Sequence, residues 1–293
     1  IQLNTPGGSI DTMQEIVEII GTSNVPVIIY VSPRDAQAAS AGALITMAGH
    51  VSAMAPRTVI GAASPIDSSG SDIESTLEKK IKEDLKAKTR ALVSRRGEKA
   101  VQLAEAMIDD AKAVTAEEAL EAGLIDLIAD DTEDLLQALD GFEVEVNNET
   151  RTLRTKDIGT EPLEMTFIEG FLLLLTDPNI VFTLLSIGTM AILIEISSPG
   201  GWTAGFIGVV CVTIALYGIG LLSVNWFGIL FLLTSFVLFI LDIKAATHGA
   251  LTTAGVASFI VGALVLFNSP GTPQFQRVSI PLVIGTGIVL GLM

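Results

Sequence analysis

The chain has 293 residues, with 33 acidic and 17 basic side chains, which give a formal net charge of −16 at pH 7. This excess of acid argues against a nucleic-acid partner, and the single cysteine, Cys211, excludes a disulfide framework or a cysteine metal site. Only six charged residues lie beyond Met165, in a part of the chain that is otherwise apolar. The composition therefore predicts a soluble acidic domain joined to a membrane domain.

The first twenty residues predict a strand, a turn at Pro6-Gly7-Gly8 and an amphipathic helix. The apolar positions of that helix recur at helical spacing, at Ile10, Met13, Ile16, Val17 and Ile20. Two glycines at a strand-to-helix turn expose backbone N–H groups with no side chain in the way. We therefore expect amide donors to be available at this turn.

The small-residue run from Ala38 to Ala43 places Ser40 at the start of a predicted helix. The preceding run 26–31 is continuously apolar, as in a strand buried on both faces of a parallel sheet. A hydroxyl at a helix start lies beside unpaired N–H groups and the positive end of the helix dipole. Taken alone, a helix-capping serine is the commoner interpretation. Together with the Gly-Gly turn, however, Ser40 supplies the parts of an acyl-transfer site.

Short strands are predicted between His50 and Gly61, and a loop over 66–77 leads into a long charged helix. The later elements are expected to be helices over 73–95, 102–113 and 132–139, a capping box at Thr115 and Glu118, a strand over 124–128, and a β-hairpin around Asn147-Asn148. This alternation predicts an α/β domain.

Beyond this domain, a helix over 165–176 is too short to cross a bilayer, and we expect it at the membrane surface or at the entrance to the bundle. Four complete spans are predicted over 179–197, 202–222, 226–243 and 249–267, with a truncated fifth from residue 280. Their many Gly and Ala residues suit close helix packing in lipid. The two basic residues of this region, Lys244 and Arg277, fall on opposite sides by helix count, so they leave the orientation open.

The chain begins at Ile1 inside an expected strand and stops at Met293 inside an apolar run, so we expect a fragment of a longer protein. Three parts are predicted. They are an N-terminally truncated α/β domain over 1–141, a β-hairpin and linker over 142–161, and an all-α transmembrane bundle over 162–293.

A serine nucleophile needs a base, and the usual histidine is not well placed. His248 lies in a membrane loop, and His50 is ten residues beyond Ser40, at the far end of the same helix, so we expect it to be structural. A lysine held neutral by burial can serve instead. If the stripe at Ile73, Leu77, Ile81, Leu85 and Leu92 is the buried face, Lys79, Lys82 and Lys86 point away from it. Periodicity leaves Lys80, at its edge, and Lys88, within it, open as candidates.

The segments 4–8 and 38–42, together with the membrane bundle, resemble the membrane-bound serine proteases of the NfeD group in the ClpP/crotonase superfamily. This resemblance covers essentially the whole chain and implies a ClpP/crotonase-like fold. It also implies a Ser-Lys dyad, whose lysine follows a Gly-Ala-x-x-Pro strand end that is present here at 61–65. The dyad would then be Ser40 and Lys80, with Lys79 as the one-residue alternative, and Gly7, Gly8 and Ala41 would form the oxyanion hole.

The resemblance further implies an ATP-independent endopeptidase that cleaves hydrophobic segments of stomatin-like proteins. No metal or other cofactor is expected, since the sequence shows no phosphate loop or metal cluster. Members of the family oligomerise, so a homo-oligomer, a dimer or larger, is expected. We expect a multi-pass protein of a prokaryotic plasma membrane, with the protease domain on the extracytoplasmic side.

Two other functions fit the sequence. A crotonase-like enzyme acting on acyl thioesters would share the fold, but an acidic domain with few arginines offers little to bind coenzyme A. A catalytically inactive scaffold or partner of stomatin-like proteins would not require the combination of Gly7, Gly8, Ser40 and Lys80.

Overall fold

The structure is a computed structural model that describes residues 1–65, 75–156, 158–198, 200–222, 224–245, 247–269 and 277–292. Most of the predicted loop over 66–77, up to residue 74, lies outside the described residues, as does the predicted start of the following helix at Ile73. The described chain falls into two compact units, which meet in sequence between Glu161 and Pro162. The predicted limits of the three domains stay predictions.

The first unit alternates strands and helices. In chain order these are β1 (Gln2–Leu3), α1 (Ile10–Gly21), β2 (Ile28–Val31), β3 (Gln37–Ala39), α2 (Ala41–Ala48), β4 (Val51–Met54), β5 (Val59–Gly61), α3 (Ser75–Val93), α4 (Glu98–Asp109), β6 (Ala113–Thr115), α5 (Ala116–Glu121), β7 (Leu127–Ile128), α6 (Thr132–Ala138), β8 (Glu143–Val146) and β9 (Glu149–Thr152). A short 3-10 turn, Ser94–Arg96, separates α3 from α4.

The main sheet has the order β1-β2-β4-β7, and every pair in it is parallel. Its central strands are covered on both faces, which explains the continuous apolar run of β2. Successive residues of β2 point into different cores. Val31 packs in a cluster with residues of α2 and α4, whereas Tyr30 packs in a second cluster with residues of α6 and the hairpin β8-β9. The hairpin predicted around Asn147 is therefore present and belongs to the core of the first unit.

A second small sheet has the order β3-β5-β6 and carries Ser40 at the end of β3. The strands β3 and β6 were not expected, and the predicted helix over 102–113 is wrong at its end, since Ala113 begins β6. The sheet needs a glycine at Gly61, where φ is +134° and a Cβ atom would lie 2.2 Å from the carbonyl oxygen of Lys112. The second sheet thus depends on the close approach of the backbone at Gly61 to that at Lys112.

The second unit is helical. Its helices are α7 (Phe167–Leu174), α8 (Pro178–Ser197), α9 (Thr203–Leu221), α10 (Phe227–Lys244), α11 (Ala250–Phe267) and α12 (Ile280–Leu292). Among the described residues, α8 to α11 are long and apolar enough to cross a membrane, and they match the four predicted spans within two residues at each end. The helix α7 is short, as expected, and none of its residues is buried.

Paired glycines allow α8 and α9 to approach closely. A Cβ atom at Gly188 would lie 2.9 Å from the carbonyl oxygen of Gly208, and one at Gly208 would lie 2.8 Å from that of Gly188. Small residues at such contacts let helix backbones pack directly, as predicted from the composition of the spans.

Replacing Gly188 by valine is expected to destabilise the membrane unit by roughly 1–3 kcal/mol, because the added side chain meets backbone that cannot move aside. Gly220→Val is the matched control, since Gly220 is a helical glycine on α9 with no atom within 4 Å of the added Cβ. Thermal unfolding of both variants in detergent measures the difference. Equal melting temperatures for the two variants would show that the approach of α8 to α9 does not contribute to stability.

Candidate active site

Ser40 lies in a sharp turn between β3 and α2. Its backbone has φ 53° and ψ −119°, a strained conformation for a residue with a side chain, and its N–H donates to the Gly61 carbonyl oxygen at 2.8 Å. The side chain makes no capping hydrogen bond to α2, so the helix-capping interpretation of this serine is wrong. A half-buried serine on a strained strand-to-helix turn is the arrangement that presents a nucleophile in many hydrolases.

The Pro-Gly-Gly turn is held against the strand that carries Ser40. The N–H of Thr5 donates to the Gln37 carbonyl oxygen at 2.7 Å, and the N–H of Ala39 donates to the Thr5 carbonyl oxygen at 3.1 Å. Gly7 then adopts φ +131°, and a Cβ atom there would lie 2.7 Å from the Cβ and 3.2 Å from the Oγ of Ser40. A glycine at this position therefore brings the turn into direct contact with the nucleophile.

Of the three predicted oxyanion donors, one is already engaged by a side chain. The Gly7 N–H donates to the side-chain hydroxyl of Thr5 at 3.1 Å. Within the described chain the N–H groups of Gly8 and Ala41 have no partner, and the Ala41 N–H is at the first turn of α2, where helices lack internal acceptors. A Cβ atom at Gly8 would lie 4.0 Å from that of Ala41. Gly8 and Ala41, whose amides have no partner among the described residues, thus lie close together beside Ser40.

Sequence reasoning missed the role of Thr5 in this turn. A hydroxyl two residues before a backbone amide is a known local turn signal, so the Thr5-Pro6-Gly7 spacing could have indicated it.

The lysines of α3 divide into two groups. Three of them form ion pairs with carboxylates, namely Lys82–Glu78 at 2.7 Å, Lys86–Glu83 at 2.6 Å and Lys88–Asp84 at 2.7 Å. The hydrogen bond that Lys86 donates to Glu83, together with a second to Asp109, raises the pKa of Lys86. The side chains of Lys79 and Lys80, in contrast, have no hydrogen-bond or ion-pair partner among the described residues.

The buried face of α3 includes Ile81, Leu85 and Leu92 of the predicted stripe but not Leu77. Leu77 is 52% exposed, whereas Leu85, Thr89 and Val93 are buried. Lys88 is therefore exposed rather than within the apolar face, and Lys80 is exposed rather than at its edge. The expectation that Lys82 and Lys86 point away from the buried face is wrong, since their side chains are only 20% and 15% exposed. Ile81, which follows Lys80, packs against the buried cluster that contains residues of α2. The helix α3 thus packs against α2, while Lys80 itself faces outward.

His50 is a structural residue, as expected. Its Nδ1 atom accepts a hydrogen bond from the Val27 N–H at 3.1 Å, which connects the start of β4 to the segment before β2. Burial, and secondarily the nearby charge of Arg95, lower the pKa of the imidazole.

Lowering the pH below about 6.5 is expected to destabilise the fold through His50. Because its pKa is lowered in the folded state, the unfolded chain binds more protons there, so this contribution is present above the unfolded pKa and is lost below it. His50→Asn keeps an acceptor in place of Nδ1 without titrating. Thermal unfolding between pH 5 and 8 should show a steeper loss of stability at low pH for the wild type than for this variant, and parallel curves would contradict the expectation.

Two family models match the chain. The N-terminal domain of NfeD1b matches residues 1–149, and the NfeD integral membrane domain matches residues 179–293. The chain is also 36% identical over 273 residues to the membrane-bound protease PH1510 of Pyrococcus horikoshii, an alignment that covers 92% of this chain and 61% of that relative. The chain thus spans about three fifths of the relative's length.

Two solved structures resemble the chain with TM-scores of 0.52. Both belong to a protein described as the 1510-N membrane-bound stomatin-specific protease. One is a lysine-to-alanine variant in complex with a substrate peptide. It is 34% identical to this chain, and the match covers 59% of this chain and 80% of the solved chain. The other is a serine-to-alanine variant. It is 38% identical to this chain, and the match covers 57% of this chain and 81% of the solved chain. The α/β domain therefore has the ClpP-like fold of these structures, and this chain, with its membrane helices, is an integral membrane protein that belongs to the NfeD family.

Proposed function

We propose that this chain is a membrane-anchored, ATP-independent serine endopeptidase, with Ser40 as nucleophile and Lys80 as general base. The observation that carries the proposal is the pair of amides at Gly8 and Ala41, which have no partner in the described part of the chain and lie beside a strained and uncapped Ser40. This combination suits acyl transfer, because an alkoxide can form at Ser40 and an oxyanion can be held by the two N–H groups. The membrane-bound protease PH1510 is similar over nearly the whole chain, which supports a peptidase.

The choice of Lys80 as base rests on the other lysines of α3. The side-chain nitrogens of Lys82, Lys86 and Lys88 are already engaged by carboxylates, which leaves them less available to approach Ser40. In the 1510-N protease the substituted serine and lysine are at positions 97 and 138, which are 41 residues apart. Lys80 is 40 residues beyond Ser40, so it fits this spacing better than Lys79 or Lys88 does.

In the proposed reaction, neutral Lys80 removes the proton of Ser40 as Oγ attacks the peptide carbonyl carbon. The resulting oxyanion accepts hydrogen bonds from Gly8 and Ala41. Lys80 then gives its proton to the leaving amine, the C–N bond breaks, and water releases the acyl group from Ser40 in a second step. Because Lys80 is exposed in the single chain, a bound substrate or a second copy must shield it from water, and Leu77 offers exposed apolar surface for either.

We further propose that the substrates are apolar segments of stomatin-like membrane proteins. The 1510-N relative is described as stomatin-specific and was solved with a substrate peptide. A peptidase joined to bilayer-spanning helices would meet such segments at the membrane. We also propose that the chain forms a homo-oligomer in a prokaryotic plasma membrane, with the protease domain on the extracytoplasmic side.

The proposal is tested with the full chain reconstituted in lipid vesicles and supplied with a fluorogenic apolar peptide, without ATP and with a metal chelator. Cleavage that requires Ser40 supports it. Absence of cleavage, with turnover of a coenzyme A thioester instead, would assign the site to crotonase-like chemistry. Absence of both activities would favour the inactive scaffold.

A further inference from the structure

Thr5 contacts the Pro-Gly-Gly turn through its side chain as well as through its backbone. Its hydroxyl oxygen accepts a hydrogen bond from the Gly7 N–H and donates one to the Gly7 carbonyl oxygen, both at 3.1 Å. A hydroxyl has one proton to donate and two lone pairs to accept with, so both bonds can exist together. Thr5 therefore restrains both backbone polar groups of Gly7.

The bond to the Gly7 carbonyl oxygen also determines the direction of the next amide. In a trans peptide the C=O of one residue and the N–H of the next lie in one plane, pointing in opposite directions. The Gly7 carbonyl and the Gly8 N–H belong to the same peptide, so holding the carbonyl on Thr5 directs the Gly8 N–H away from Thr5. Glycines on both sides of this peptide give it little steric restraint of its own.

Thr5 is itself fixed to the elements that carry Ser40. Its backbone pairs with β3 through the bonds to Gln37 and Ala39, and its Cγ2 methyl group packs over Gly42, where an added Cβ atom would lie only 2.5 Å away. Gly42 is two residues beyond Ser40, in the first turn of α2. The side chain of Thr5 thus contacts the amide turn through its hydroxyl and the helix α2 through its methyl group.

From this geometry we infer that Thr5 is a positioning residue, which holds the Gly8 N–H in the direction of the developing oxyanion. The inference rests on the proposed peptidase function and deepens it. Without the hydroxyl, the Gly7–Gly8 peptide is free to rotate and to turn its carbonyl oxygen towards the oxyanion. Such a rotation would remove a donor and place a partial negative charge in its position.

Two substitutions separate the hydroxyl from the methyl group. Thr5→Val keeps the size and the methyl contact with Gly42 but removes both hydrogen bonds, whereas Thr5→Ser keeps the hydroxyl and loses the methyl group. With the full chain in vesicles and a fluorogenic apolar peptide, we expect Thr5→Val to lower kcat by about 10²-fold, near the effect of losing one oxyanion donor. KM should stay within about threefold, because this contact strengthens only in the transition state. Thr5→Ser should restore most of the kcat.

Three results would overturn the inference. They are a wild-type kcat in Thr5→Val, an equal loss in both variants, and a change confined to KM. Ser40→Ala, measured alongside, separates this inference from the proposed function. If the wild type cleaves no faster than Ser40→Ala, the peptidase proposal is wrong and the inference fails with it. A Ser40-dependent wild type with a fully active Thr5→Val would overturn the role of Thr5 alone.

Discussion

Alanine in place of Ser40 is expected to abolish peptide hydrolysis, with kcat falling by roughly 10⁶-fold, as when the nucleophile of a serine protease is removed.

Lys80→Ala should lower kcat by about 10²–10⁴-fold, the usual contribution of a general base. Lys80→Arg gives a sharper test, because a guanidinium keeps the charge but cannot give up its proton near neutral pH. If Lys80 acts as a base, the arginine variant is as inactive as the alanine variant. The measurement is cleavage of a fluorogenic apolar peptide by the full chain in vesicles.

The neighbouring lysines provide the controls for this experiment. Lys79 shares the exposure of Lys80, and Lys88 is paired with Asp84, so alanine at either position should leave cleavage near the wild-type rate. Circular dichroism should be unchanged in all variants, since none of these lysines is buried. Full activity in Lys80→Ala, with loss in Lys79→Ala or Lys88→Ala, would mean that the base is misassigned.

Replacing Gly7 by alanine is expected to lower kcat by at least about 10²-fold. The added Cβ atom would lie 2.7 Å from the Cβ of Ser40, and the backbone φ of +131° is one that alanine rarely adopts. The turn must therefore shift away from the nucleophile, and the Gly8 N–H shifts with it. The resulting decrease in kcat should be comparable to that of removing one oxyanion donor. Steady-state kinetics of the full chain measure this effect.

Gly97→Ala is the matched control for the backbone strain. Gly97 also has a positive φ, +94°, but no atom lies within 4 Å of an added Cβ there. We expect Gly97→Ala to cost about 1–3 kcal/mol of stability, with kcat unchanged. If the two variants lose activity equally, general destabilisation rather than displacement of the turn would be the cause.

The membrane helices and the two halves of the site could be predicted from the sequence because each is a local pattern. A run of about twenty apolar residues has few structural alternatives, so α8 starts one residue from the predicted position. The Pro6-Gly7-Gly8 turn and Ser40 were recognisable for a similar reason. Glycine and small residues at element ends mark where a backbone is exposed or approached closely.

The second sheet could not be predicted, and the buried face of α3 only in part, because both depend on tertiary contacts. The strand β3 has the sequence Gln-Ala-Ala, with no β-branched or aromatic residue, and it forms because Thr5 and β5 pair with it on either side. On α3 the predicted residues Ile81, Leu85 and Leu92 do pack against the core, but Leu77 is exposed while Thr89 is buried. Residue polarity alone therefore gave only part of the buried face. This difference matters for Lys80, the proposed base, because the face that α3 turns towards the core determines how exposed Lys80 is.

The left-handed backbone of Ser40 has a consequence for how such a chain could change over generations. Glycine adopts this conformation at a lower free energy than serine does, so a glycine at position 40 would delete the hydroxyl and relieve strain in one step. A descendant that lost its chemistry by this route would fold at least as well as its ancestor. Selection on the reaction, rather than on folding, must therefore keep a hydroxyl at this position.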